Sequence, residues 1–89
     1  MYGGSSATGN YNTALGFRTL KTITTGTRNI AIGHQALDAA DTESDKIAIG
    51  YDALGGAVDG GEKNIAIGNY SLDALTSSDQ TVAIGHEAG

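Results

Sequence analysis

Asn64-Ile65-Ala66-Ile67-Gly68 decides the fold, because near-copies of it recur along the whole chain in constant register. The copies end on Gly16, Gly33, Gly50, Gly68 and Gly85, at separations of 17, 17, 18 and 17 residues. Two residues before each glycine stands alanine: Ala14, Ala31, Ala48, Ala66 and Ala83. The residue immediately before is Leu15, Ile32, Ile49, Ile67 or Ile84, and the residue three before is Thr13, Ile30, Ile47, Ile65 or Val82. Asparagine opens three of the five copies, with Lys46 and Thr81 in its place in the other two. Four residues after the glycine comes Leu20, Leu37, Leu54 or Leu72, and only the last copy departs, with Gly89. A unit this short cannot bury an apolar face alone, so copies stacked on it must complete the core.

The Ile-Ala-Ile triplet alternates large and small on β-branched residues, which is a strand pattern with isoleucine on one face and alanine plus asparagine on the other. The glycine turns the chain, and the Ala-Leu that follows gives a second, shorter side whose leucine points inward. A weaker apolar slot lies seven residues past the glycine at Ile23, Ala40, Ala57 and Leu75. One unit, at ~3.3 Å per extended residue, is long enough for two short strands and two turns, and units stacked ~4.8 Å apart would align identical residues into ladders. The expected fold is all-β: a parallel β-solenoid or flattened β-roll of about five coils, with repeats at 12–28, 29–45, 46–63 and 64–80 and a partial repeat at 81–89. Residues 2–10 read as the tail of a preceding repeat, so residues 1–89 are expected to be a single array cut from a longer fibre.

Composition agrees with this reading. Hydrophobic residues make up 39% of the chain, but there is no tryptophan, one phenylalanine and one methionine, so the core must be built from small and branched aliphatics. Fourteen glycines without proline suit a chain that turns often, with glycine expected at the positive-φ corners. A coil this thin has an interior only a few side chains wide, so association around a long axis is expected, as a homotrimer with isoleucine and leucine ladders filling the coils and the space near the threefold axis. The net charge of −5 argues against nucleic acid or an anionic membrane as partner. Without cysteine there is neither a disulfide framework nor a thiolate metal site. No apolar run is long enough to span a bilayer, and the N-terminus lacks the basic and apolar regions of a signal peptide.

Asn-Thr-Ala-Leu-Gly at 12–16 and Asn-Ile-Ala-Ile-Gly at 29–33 and 64–68 resemble the repeats of trimeric fibre proteins. These include the head domains of trimeric autotransporter adhesins and related segments of bacteriophage tail fibres. Ala-Leu at 36–37 and 53–54 and Thr-Thr-Gly at 24–26 match the phage-type version, and the resemblance covers nearly the entire chain. It implies a left-handed parallel β-roll, three chains side by side, and a place in a virion fibre or on a cell surface where host glycan or protein is met. Autotransporter heads usually have a shorter repeat, which favours the tail-fibre version.

Several residues were weighed for chemistry. His34 and His86 share the slot after the glycine, three coils apart; in a trimer each could form a ring around an ion, although a solvent-facing corner explains them as well. Asp41, Glu43 and Asp45 alternate as in a calcium loop, but Lys46 and Asp52 stand where an EF-hand needs glycine and glutamate, so a solvated acidic loop is expected. Asp38 and Asp73 share the slot five past the glycine, two coils apart, roughly 10 Å by the ladder spacing, near the upper limit for an inverting glycosidase pair. A polysaccharide-cleaving spike would use them; nothing in the sequence supplies its cleft. Asn69-Tyr70-Ser71 fits a glycosylation sequon. Phe17, Tyr51 and Tyr70, with Tyr2 and Tyr11, could stack on sugars or pack between coils. The expectation is therefore a non-enzymatic structural and adhesive fibre segment with no cofactor, metal or catalytic residue. The varied loops at 21–28, 38–45, 55–63 and 73–80 are expected to face outward.

Overall fold

The computed structural model describes residues 11–20, 25–38, 42, 44–55, 63–73 and 80–89. Each glycine copy is preceded by one strand: β1 (Thr13–Leu15), β2 (Ile30–Ile32), β3 (Ile47–Ile49), β4 (Ile65–Ile67) and β5 (Val82–Ile84). They form one parallel sheet in chain order, β1-β2-β3-β4-β5. The register is the one the repeat dictates, with Ala14, Ala31, Ala48, Ala66 and Ala83 in one column and an aliphatic column on either side. The chain is thus an all-β protein, a parallel β-solenoid of about 3 turns.

The strands are short because each is one side of a coil, and hydrogen bonds continue between coils past both strand ends. The Ile30, Ile47 and Ile65 N–H groups donate to the carbonyls of Lys46, Asn64 and Thr81, one coil on. The Gly33, Gly50, Gly68 and Gly85 N–H groups donate back to Leu15, Ile32, Ile49 and Ile67. Backbone groups that a three-residue strand would leave open are in this way satisfied from above and below. Among the described residues the second side of each coil is a tight turn rather than the second strand expected from length. The slot at Ile23, Ala40, Ala57 and Leu75 lies outside the described residues.

Alanine and leucine make the interior. Ala31, Ala48, Ala66, Ala36 and Ala53 are fully buried together with Leu20, Leu37 and Leu54, with Leu72 and Ala83 nearly so. The asparagine column lies inside with the alanines: Asn29 and Asn64 are fully buried. The Asn12, Asn29 and Asn64 Oδ1 atoms accept from the N–H groups of Asn29, Lys46 and Thr81 at 3.0, 3.0 and 2.9 Å. Each such bond joins one coil to the next.

The isoleucines do not fill the coil. Ile30 is 37% exposed, Val82 63%, Leu15 67% and Ile84 68%, and Ile32, Ile47, Ile49, Ile65 and Ile67 are half-buried. The expectation that isoleucine ladders occupy the interior is corrected by the width of the coil. Leucines from the turn side already reach the alanine column, leaving no room for a β-branched side chain pointing in.

Corners also differ from expectation. Glycine supplies one positive φ per repeat, from 121° to 133° at the five ladder glycines. Leucine supplies another, at 49–51° in Leu20, Leu37, Leu54 and Leu72. Two further corners per repeat are left-handed, at Arg18, Gln35, Asp52, Tyr70 and Glu87 and at Tyr11, Arg28, Asp45, Lys63 and Gln80. A left-handed non-glycine residue costs about 1–3 kcal/mol and persists only where the surroundings hold it. Here the hold is the neighbouring coil: the Leu37, Leu54 and Leu72 N–H groups donate to the carbonyls of Ala53, Ser71 and Ala88, and those of Gln35, Asp52, Tyr70 and Glu87 to Phe17, His34, Tyr51 and Asn69.

Candidate functional site

Two surfaces follow from this arrangement. The first is the outer face of the sheet, where Thr13, Ile30, Ile47, Ile65 and Val82 run beside Leu15, Ile32, Ile49, Ile67 and Ile84. Nine of these ten side chains are aliphatic, and they form one contiguous strip along the solenoid. Scattered exposed aliphatics are ordinary on a soluble protein; a contiguous apolar face signals interaction.

The second surface is the corner just past the glycine. Phe17, His34, Tyr51, Tyr70 and His86 stand one above another, with ring centroids 5.4, 5.4, 5.3 and 6.1 Å apart. Phe17 is tilted by 33° to His34, and His34 is within 7° of parallel to Tyr51. Tyr70 breaks the run, tilted 55° to Tyr51 and with His86 edge-on at 90°. Tyr70 follows the repeat with one extra residue and sits two past its glycine, while Asn69 takes the first position. The Asn69 side chain instead accepts a bond from the Tyr51 N–H at 2.9 Å. Both histidines stand at exposed corners, as the sequence suggests, and Phe17, Tyr51 and Tyr70 pack between coils, while Tyr11 is 83% exposed and Tyr2 lies outside the described residues. Phe17, His34, Tyr51 and His86 share the slot just past the glycine, and that shared column is the sequence signal for one file of rings.

Carboxylates flank the rings. Burial pushes the Asp52 carboxyl above its usual value, and the negative charges of Asp38 and Asp73 push it further, against a lowering by His34. Tyr70 is likewise raised, first by burial and then by Tyr51 and Asp52. Asp38, Asp52 and Asp73 therefore share one neighbourhood beside the ring file. Among the described residues there is no cavity, and no group of three histidine, aspartate or glutamate side chains able to hold a metal ion. Asp38 and Asp73 are both half-buried, and each acts on Asp52 between them.

The acidic loop resolves in part. Asp41 and Glu43 lie outside the described residues, while Asp45 is paired to the Arg28 guanidinium through Nε and Nη2 at 2.5 and 3.0 Å. That pairing holds the Asp45 carboxyl below its usual value. Ser44 Oγ accepts from the Thr27 N–H at 2.9 Å, so this loop is tied to the coil before it. Ser71, the third residue of the sequon, is fully buried and donates to the Ala83 carbonyl at 3.1 Å. No helix among the described residues is long and apolar enough to cross a membrane. Lys46, which replaces asparagine in the repeat, is the largest fully buried side chain among the described residues.

Neither a family model nor a curated protein nor a solved structure matches this chain.

Proposed function

We propose that the chain is a structural and adhesive segment of a homotrimeric fibre, five coils of left-handed β-roll in a bacteriophage tail fibre that contributes to host attachment. The observation that carries this reading is the outer strip of aliphatic ladders, which the chain's own fold leaves partly open to water. If burying each of the nine aliphatics contributes about 1 kcal/mol beyond its present burial, the strips together offset an association cost of about 4–15 kcal/mol. The number three, the handedness and the fibre context rest on the resemblance of the Asn-x-Ala-x-Gly repeats to trimeric fibre proteins. In this reading the protein is not an enzyme. Its setting is the virion or another extracellular surface, its partners the other two chains, adjoining fibre segments and a receptor on the host.

The test is the mass of the 89-residue chain in solution by light scattering or native mass spectrometry. We expect three times 9.0 kDa, and a folded single chain for the double variant Ile49→Asp, Ile67→Asp, which sets six charges in the covered face. A well-folded monomer or a dimer of the unsubstituted chain overturns the trimer.

A further inference from the structure

We propose that the ring file Phe17, His34 and Tyr51, with Asp38, Asp52 and Asp73 beside it, binds a neutral or amino-bearing oligosaccharide laid along the solenoid axis. The proposal rests on the adhesive half of the reading above and not on the number of chains.

The geometry of the rings points to a sugar chain. Atoms in direct contact lie ~3.5–4.0 Å apart, so near-parallel rings with centroids 5.4 Å apart are slid past each other in the offset arrangement aromatic pairs favour. Rings set like overlapping tiles leave part of each face open. Phe17 remains 65% and Tyr51 41% exposed, and His34 is exposed between them. Such faces take the apolar C–H side of a pyranose, and the repeat along the file is comparable with the length of one sugar in an extended chain. Three tiled rings offer three successive platforms, and Tyr70, turned by 55°, closes the row.

Charge selects among sugars. The flanking groups are carboxylates, which accept hydrogen bonds from hydroxyl or ammonium groups and repel sulfates and uronates. The net charge of −5 works in the same direction over longer range. Rings backed by acceptors fit hydroxyl-rich or amino-bearing chains and not polyanions. The file stands at the corner past the glycine, outside the aliphatic strip, so covering the strip leaves the rings at its rim.

The test uses the full chain with three hexasaccharides: cellohexaose, chitosan hexamer and a heparin-derived hexamer. Ligand-observed saturation-transfer NMR and calorimetry give the affinities, and light scattering follows the mass in the same samples. We expect cellohexaose or the chitosan hexamer to bind with Kd of about 0.1–1 mM per site, and the heparin hexamer not to bind. Tyr51→Ala should weaken binding at least tenfold with the mass unchanged. Tyr51→Leu, which keeps an apolar side chain at the corner, should do the same if the ring face is what binds. Asp52→Asn should weaken the amino-bearing chain more than the neutral one. Binding by neither of the first two sugars, preference for heparin, or unaltered affinity in Tyr51→Leu overturns the proposal. A trimeric mass with no sugar binding would leave the fibre reading standing and remove this one.

Discussion

Placing a methyl group on Gly50 should weaken the stack between the copies that end on Gly50 and Gly68. Gly50 has φ of 128°, and a Cβ there would lie 2.7 Å from the Gly68 carbonyl carbon and 2.8 Å from its oxygen. Both atoms are backbone, the oxygen is held by the Ser71 N–H at 3.1 Å, and neither has a rotamer by which to move away. Gly85 has nearly the same φ, 133°, but a Cβ there meets only the Ala88 methyl at 3.8 Å, an ordinary contact. Gly85→Ala thus carries the conformational strain alone, about 1–3 kcal/mol. Gly50→Ala carries that strain plus an overpacking cost of about 1–3 kcal/mol. An 89-residue chain has a total stability of roughly 4–13 kcal/mol, so the second variant loses a large share of it. Equilibrium urea unfolding, followed by circular dichroism at one protein concentration, measures both. Gly50→Ala should lose about 1–3 kcal/mol more than Gly85→Ala at similar slope. Equal losses in the two variants would refute the close-approach argument, and a loss below about 1 kcal/mol in Gly50→Ala would refute the strain argument too.

Two further predictions follow from the buried column and the corner charges. Lys46→Asn should stabilise the chain by about 1 kcal/mol, because asparagine restores the Oδ1 acceptor that Asn29 and Asn64 offer to the next copy and that a lysine lacks. The melting temperature should rise by about 4–8 °C per kcal/mol, and a fall would contradict the role given to the asparagine column. The Arg28–Asp45 pair should act on the acid limb of stability. Because Asp45 is lowered from 3.8 in the folded chain, its contribution is present above that value and lost as pH falls through the lower folded one. Asp52 has the opposite sign: raised above 3.8, it costs stability when charged, and the cost is relieved as pH falls through its higher folded value. Urea midpoints measured across acid pH should therefore show Asp52→Asn stabilising at neutral pH and converging on the unsubstituted chain in acid. Arg28→Ala should be destabilising at neutral pH and converge likewise, and a constant offset in either case would refute its assignment.

Strand position, parallel pairing and register were legible because the five copies of the motif fix them together: once Ala14, Ala31, Ala48, Ala66 and Ala83 are placed in one column, no other register keeps the glycines aligned. The corners were not legible. Leu20, Leu37, Leu54 and Leu72 have no preference for a left-handed backbone, and they adopt it because the next coil offers a carbonyl to each N–H and the interior takes each side chain. A tertiary gain of this kind leaves no mark in local residue type.

The sign of the sheet faces was hidden for a related reason. Alternation of Ile and Ala reveals that two faces exist, but both residues are apolar, and hydrophobicity alone would place the larger one inside. What decides is the distance from sheet to turn. Leucine from the turn side fills that gap, so the column facing it must be nearly without side chain, and alanine is the residue that permits this while keeping strand geometry. The isoleucines are then forced outward whether or not another chain waits there. From β2 to β4 the outer face carries β-branched, strongly apolar residues, a contiguous surface of the kind that marks an interaction face, and the proposed three-chain assembly rests on that surface.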